Sequence, residues 1–395
     1  MKFIAKTLEG LEEILAEELS EMGAQDIEIW KRAVAYTGDK MTLYKSNLLL
    51  RTCLKVLVFM KEFSVENEID LYNEIKKIPW EDYLSLEDTF AIDSVVNSEK
   101  FRHANFIALK AKDAIADRFR EKYNQRPNVD TQDPTLKINV HIRENIVTLS
   151  LDSSGQSLHM RGYRKHSVDA PLNEVLAAGL VLMSGWDKSS PMIDPMCGSG
   201  TILCEAARIA GKIPPQSPDR TFAFKKWKSY DPVLLEMVCD EAESKINTND
   251  IPSLLGYDLN QKAVQVAITN IGEAGLSEFI KVEKEDFFYL EGSQNIMLIF
   301  NPPYDGRLKE KDVLDFYSFI GDKLKLSFQG CTAWILSGHM AAMKNIGLRP
   351  SAKKSLLNGS IPSLFCRYDM YAGSKKQKWQ DMYPQETAKE NEKKN

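Results

Sequence analysis

The chain is poor in the residues that build metal and disulfide scaffolds. Its six cysteines stand at 53, 197, 204, 239, 331 and 366, with no C-x-x-C pair and no ligand-like spacing toward the five histidines. A structural zinc module is thereby excluded, and reduced thiols are expected instead of disulfides. Long hydrophobic runs are missing too. The most apolar stretch, Val175 to Trp186, falls well short of the roughly 20 residues a helix needs to cross a bilayer. No basic-then-apolar export pattern opens the chain, which carries five glutamates before residue 20. Nor is there an excess of positive charge: 51 Lys and Arg against 56 Asp and Glu give a net charge of −5. That argues against general coating of nucleic acid but leaves room for a local basic face. No internal repeat is evident. A cytoplasmic protein with no metal and no membrane partner is expected.

What is present is ordinary globular composition, 43% hydrophobic and 27% charged over 395 residues, enough for two or three cores. Residues 2–5 read as a strand. Leu11, Ile14, Leu15, Leu19 and Met22 then recur at helical spacing, with Gly23 as the stop. A hairpin over 27–37, a helix near 40–50 and a strand near 53–60 complete a small α+β unit, expected to span 1–65. A second unit, 66–155, has a helix ended by Pro79, a strand from Thr89 to Val96 and a long helix from His103 to Tyr123. Leu136, Ile138, Val140 and Ile142 alternate strictly before the Arg143-Glu144-Asn145 turn, and Ile146 to Leu151 returns as a hairpin partner. Segment 100–126 is rich in cations, among them Arg102, Lys110, Arg118, Lys122 and Arg126. Such a face is usually only solvated, but beside a nucleic-acid enzyme it would meet phosphates. Residues 159–174 are basic and punctuated by glycine and proline, as a linker would be, and lead into a helix over 172–183.

From residue 190 strands and helices alternate. Strands are predicted at 191–194, 253–258, 279–283, 296–300, 331–337 and 363–371, a mostly parallel sheet of the α/β class. Residues 212–232 insert into the first crossover, and the polar segment 377–395 is expected to be a disordered tail. The organising stretch is Asp194-Pro195-Met196-Cys197-Gly198-Ser199-Gly200-Thr201, a strand, a turn with two glycines and a helix start. Such a turn brings backbone amides close to a ligand. Asp194, Asp258, Asp286 and Asn301 fall at successive strand ends, where open parallel sheets bind ligands. Asp258 suits a pair of ribose hydroxyls, and Asp286 with Phe287 suits an adenine. A dinucleotide dehydrogenase fits poorly: position 203 is Leu where a third glycine belongs, and the acidic strand end lies far downstream of the turn.

Asn301-Pro302-Pro303-Tyr304 follows an apolar strand. The amine of a nucleobase is a poor nucleophile, because its lone pair is delocalised into the ring. The Asn301 amide oxygen and the Pro302 carbonyl can both accept from such an NH₂, the two prolines stiffen the loop, and Tyr304 offers a face for an extruded base.

On these motifs the chain resembles the class I S-adenosylmethionine-dependent amino-methyltransferases: Asp194-Pro195-x-x-Gly198-Ser199-Gly200-Thr201 is similar to their cofactor turn, and Asn301-Pro302-Pro303-Tyr304 to their catalytic loop. The resemblance implies a Rossmann-like methyltransferase domain over 156–376, with a ferredoxin-like domain and a THUMP RNA-binding domain before it. It also implies cofactor contacts at Pro195, Cys197, Ser199, Thr201 and Leu259, and at Pro171 and Leu172 in the linker. Arg161 and Arg164 would join the cations facing RNA. The domain order is similar to THUMP-containing guanine-N2 methyltransferases, some acting on 23S ribosomal RNA and others on transfer RNA. Ribosomal enzymes of some bacteria carry a second methyltransferase domain, and this chain, stopping at 395, is expected to have only the guanine-N2 activity. The rival readings are a tRNA guanine-N2 enzyme, a DNA adenine-N6 enzyme and a non-catalytic RNA-binding protein.

Overall fold

The computed structural model describes residues 1–166, 171–292, 294–303 and 310–371. Tyr304 and the expected tail lie outside the described residues. The chain packs as two units. The first comprises Met1–Arg164, Asn173–Gly179 and Gly211–Asn249; the second comprises Lys165–Leu172, Leu180–Ala210 and the chain from Asp250.

In chain order the first segment runs β1 (Lys2–Lys6), α1 (Glu12–Glu21), β2 (Gln25–Trp30), β3 (Ala33–Thr37), α2 (Lys40–Leu49), β4 (Lys55–Ser64), α3 (Glu68–Lys76), β5 (Thr89–Asn97), α4 (Ala104–Tyr123), β6 (Asn128–Val129), β7 (Leu136–Arg143) and β8 (Ile146–Asp152). One sheet gathers all eight strands in the order β2-β3-β1-β4-β8-β7-β5-β6. The antiparallel pairing of β4 with β8, from Leu57 opposite Asp152 to Ser64 opposite Ile146, joins the ferredoxin-like half to the second half. Local chemistry sets the ends. Asp39 makes a capping box with Thr42 at α2, and Asn67 accepts from the amides of Ile69 and Asp70 at α3. The alternation in β7 is realised, with Leu136, Ile138, Val140 and Ile142 buried.

After β8 come α5 (Glu174–Met183), β9 (Met192–Asp194), α6 (Thr201–Ala210), α7 (Pro232–Ser244), β10 (Leu254–Asp258), α8 (Gln261–Glu273), β11 (Ile280–Lys284), β12 (Met297–Phe300), α9 (Glu310–Ser327), β13 (Thr332–Ser337), α10 (Met340–Asn345), β14 (Ala352–Asn358) and β15 (Ile361–Asp369). The stretch Gly211–Asn249, expected to belong with the methyltransferase half, packs into the first unit. Its Phe222, Phe224, Leu235 and Val238 share one core with Phe3, Leu15, Val34, Tyr44 and Val56. Phe224 stacks on Tyr44 at 4.5 Å, the Tyr44 hydroxyl accepts from the amide of Asp231 at 3.0 Å, and Lys45 pairs with Glu241 at 2.6 Å.

The second unit is a seven-stranded sheet ordered β11-β10-β9-β12-β13-β15-β14. Strands β11 to β13 run parallel, and β15 is antiparallel to both neighbours. Strand β14 was not expected: Lys353, Lys354 and Ser355 interrupt any apolar alternation, as suits an exposed edge. The order reverses at β9, with β10 on one side and β12 on the other, so the crevice for a ligand lies at its carboxyl end. Among the described residues no helix is long and apolar enough to cross a membrane.

Candidate active site

The site grows from the end of β9. Asp194 is fully buried there and accepts from the amide of Met196 at 3.2 Å. Burial, with a smaller contribution from the nearby Asp258 charge, pushes its carboxyl up to about 8. The chain then turns through Gly198 and Gly200, both in the left-handed region with φ of 54° and 77°. A Cβ on Gly200 would meet Ala267 at 3.3 Å and Ile271 at 3.4 Å, so α8 packs directly under the turn. The turn is fixed across the sheet: Cys197 donates its amide to the carbonyl of Tyr257 at 2.8 Å, and Gly198 donates to Asp258 Oδ2 at 3.0 Å. Asp258 Oδ1 accepts from the amide of Asn260 at 2.8 Å, and Asn260 in turn caps α8. Asp286 ends the third station by accepting from the amide of Phe288 at 3.0 Å.

These elements enclose a cavity of about 550 Å³. Of the residues expected at the cofactor, Pro171, Leu172, Asp194, Pro195, Cys197, Gly198, Ser199, Thr201, Asp258, Leu259, Asp286 and Phe287 line it, joined by Asn301 and Pro303 of the catalytic loop. Gly200 and Pro302 do not; Gly200 shapes the turn from behind, and Pro302 is buried. Phe287 is only 3% exposed and stacks on Phe328, so most of its ring belongs to the core. Sequence reasoning missed Met196, Ile202, Asn260, Ala263, Glu285, Phe288 and Phe316 in the wall. Asn260 had a readable signal, a helix cap two residues past Asp258; Phe316, on α9, had none. The Cys197 thiol, buried, is pushed upward, which makes it a wall and not a nucleophile.

Asn301 closes β12. Its Oδ1 is buried and has no hydrogen-bond partner. Buried acceptors are rarely left so, since desolvation without a partner costs roughly 1–3 kcal/mol. The orphan lies on a residue of the cavity wall, ready for a donor brought by a ligand.

The expected RNA-facing cations all fall in the first unit, where several also have partners within the protein. Arg118 holds Glu81 through two bonds of 2.8 Å, and Lys122 adds a third at 2.6 Å. The Arg118 guanidinium chiefly holds the Glu81 carboxyl far below its usual range. Buried Arg161 donates to the carbonyls of Leu158 and Arg51, and Arg164 faces Glu174 at 3.5 Å. These four side chains tie the fold together, while Arg102 and Arg126 are exposed and Lys110 lies over the Phe106 ring at 5.5 Å. Among the described residues no group of three or more His, Cys, Asp or Glu could hold a metal ion.

A glycine turn at the switch point, carboxylates on adjoining strand ends and an Asn-Pro-Pro loop over a cavity of cofactor size define a class I methyltransferase. The chain belongs to the RMKL-like methyltransferase domain family, which matches residues 161–366. Residues 65–152 match the THUMP domain, and residues 2–57 match the RlmL ferredoxin-like domain. A Synechocystis sp. protein bearing the name RNA methyltransferase slr0064, which gives no target, is 39% identical over 93% of this chain and 97% of its own length. The ribosomal RNA large subunit methyltransferase K/L of Syntrophotalea carbinolica is 35% identical over 94% of this chain, which spans only 54% of that longer protein. Among solved structures, the methyltransferase SMU.472 complexed with SAH superposes with a TM-score of 0.85 at 27% identity, covering 94% of this chain and 99% of its own. The cofactor this implies is S-adenosylmethionine. The cavity suits it: the Asp258 and Asp286 carboxylates stand in its wall beside the buried Asp194 carboxyl, and the glycine turn leaves room for backbone approach.

Proposed function

We propose that the protein transfers a methyl group from S-adenosylmethionine to the exocyclic N2 amine of a guanosine in RNA, with 23S ribosomal RNA as the target and the cytoplasm as the place of action. The observation that carries this reading is the buried, unpartnered Oδ1 of Asn301 in the cavity wall. When bound, the cofactor supplies an electrophilic methyl group. Asp194, Asp258 and Asp286 with the Gly198–Gly200 turn would hold it; Asn301 Oδ1 accepts from the amine and turns its lone pair toward that methyl, and the Pro302 carbonyl is assigned the second acceptor role by its place in the motif. Pro303 keeps the loop stiff, so the acceptor is fixed in place before the base arrives. Tyr304 is assigned the stacking face for the extruded base on the strength of its place in the motif. The THUMP match and the name of the Synechocystis relative, matched over 97% of its length, favour RNA over DNA.

The test is methyl transfer from labelled cofactor to 23S rRNA, tRNA and duplex DNA in parallel, followed by nucleoside analysis. N2-methylguanosine in rRNA supports the reading. The same product in tRNA alone moves the target, N6-methyladenine in DNA overturns both base and substrate, and no transfer to any of them overturns the activity.

A further inference from the structure

We infer that Asn270, far from the reacting atoms in sequence, is a positioning residue that sets cofactor affinity by tying the glycine turn of the cavity wall to the backbone at 165–166. It sits on α8, fully buried, one helical turn after Ala267 on the same face and next to Ile271 in the chain, and Ala267 and Ile271 pack beneath Gly200. A polar side chain with 0% exposure among such neighbours must satisfy its hydrogen bonds there. Asn270 does so on two sides. Its Nδ2 donates to the carbonyl of Ser199 at 3.2 Å and to that of His166 at 3.1 Å. Its Oδ1 accepts from the amides of Lys165 at 3.2 Å and His166 at 3.3 Å.

The Ser199–Gly200 peptide is therefore held at both edges, since the Gly200 amide also donates to the carbonyl of Cys197 at 2.8 Å. With that plane fixed, the left-handed Gly200 keeps one orientation, and Ser199 stays in the cavity wall. The other side of the bracket fixes the backbone at 165–166, five residues ahead of Pro171 and Leu172, which line the same cavity. No apolar residue of similar volume can make both connections. Asp can make only one: its carboxylate accepts from the two amides but has no hydrogen to give the Ser199 and His166 carbonyls.

The inference rests on the cofactor occupying this cavity, and the experiment separates the two ideas. S-adenosylhomocysteine binding is measured by calorimetry for Asn270→Ala, Asn270→Asp, His166→Pro and the control Asp258→Ala, with melting curves and steady-state kinetics on the RNA substrate. Asn270→Ala and Asn270→Asp should each weaken binding about tenfold, the scale of one or two lost hydrogen bonds. KM for the methyl donor should rise with kcat and the KM for RNA unchanged. His166→Pro removes one amide without touching the core and should show a smaller shift in the same direction. Binding within twofold of wild type for both Asn270 variants, with only the melting temperature lowered, would make the residue structural and overturn the inference. If Asp258→Ala were equally silent, the assignment of the cavity itself would fall.

Discussion

Replacing Asn301 with Ala tests the chemistry most directly, because its effects on folding and on catalysis should run in opposite directions. In the folded chain the amide oxygen is buried with no partner, so the substitution removes no internal bond from that atom. It relieves an unmet acceptor, worth roughly 1–3 kcal/mol, against the cost of the small void left behind. The melting temperature should therefore stay level or rise slightly. S-adenosylhomocysteine affinity should also hold, since the cofactor contacts proposed above lie at the ends of β9 and β10 and at the turn around Asp286. Turnover should collapse: loss of one oriented acceptor in a water-excluded site costs about 3–4 kcal/mol, or about 10²–10³ in rate. Single-turnover methyl transfer at saturating RNA, with calorimetry and thermal melts on the same preparation, reads all three quantities. A rate near that of wild type would refute the amine-holding role. A strongly lowered melting temperature would mean that Asn301 supports the loop.

Asp258→Ala should weaken S-adenosylmethionine binding at least about tenfold, because it removes charge-assisted acceptors for the ribose and frees the Gly198 amide; unchanged affinity by calorimetry would place the ribose elsewhere. Asp194 has its folded pKa raised from 3.8 to about 8, so its contribution to apo stability is full below pH 4 and is lost as pH rises through 8. Asp194→Asn should thus gain stability relative to wild type as pH rises from about 4 to 8, and parallel melting profiles over that range would contradict the burial argument. Reversing charge at Arg102, Lys110 and Arg126 together should reduce RNA affinity and flatten its salt dependence at unchanged melting temperature, whereas Arg118→Ala should lower stability by about 1–2 kcal/mol through loss of the Glu81 pair. Filter binding across a salt series and denaturant melts distinguish these outcomes.

Much of the site was legible because its signals are local. The strand, glycine turn and helix around Asp194–Thr201 lie within one short stretch, and strand-end polar residues can be counted along an alternating pattern. Strand β14 escaped because an edge strand carries lysines where a buried one would carry valines. The partners of the cation run were hidden for a similar reason: Arg118 and Lys122 both pair with Glu81, 37 residues before Arg118, which no local pattern links to them. Phe316 and Asn270 were unreadable, since each reaches its partners only through the packing of a helix against distant loops.

The membership of Gly211–Asn249 in the first unit has a consequence for how the chain is made. Synthesis proceeds from the amino terminus, and domains commonly fold as they emerge from the ribosome. Here the ferredoxin-like core lacks Phe222, Phe224, Leu235 and Val238 until some 250 residues have been translated. The nascent amino-terminal segment must wait with Tyr44 and its neighbours uncovered, and only α7 completes it. Chaperone dependence during translation should therefore peak before residue 250 appears and fall after it, a timing opposite to that of a string of independent domains.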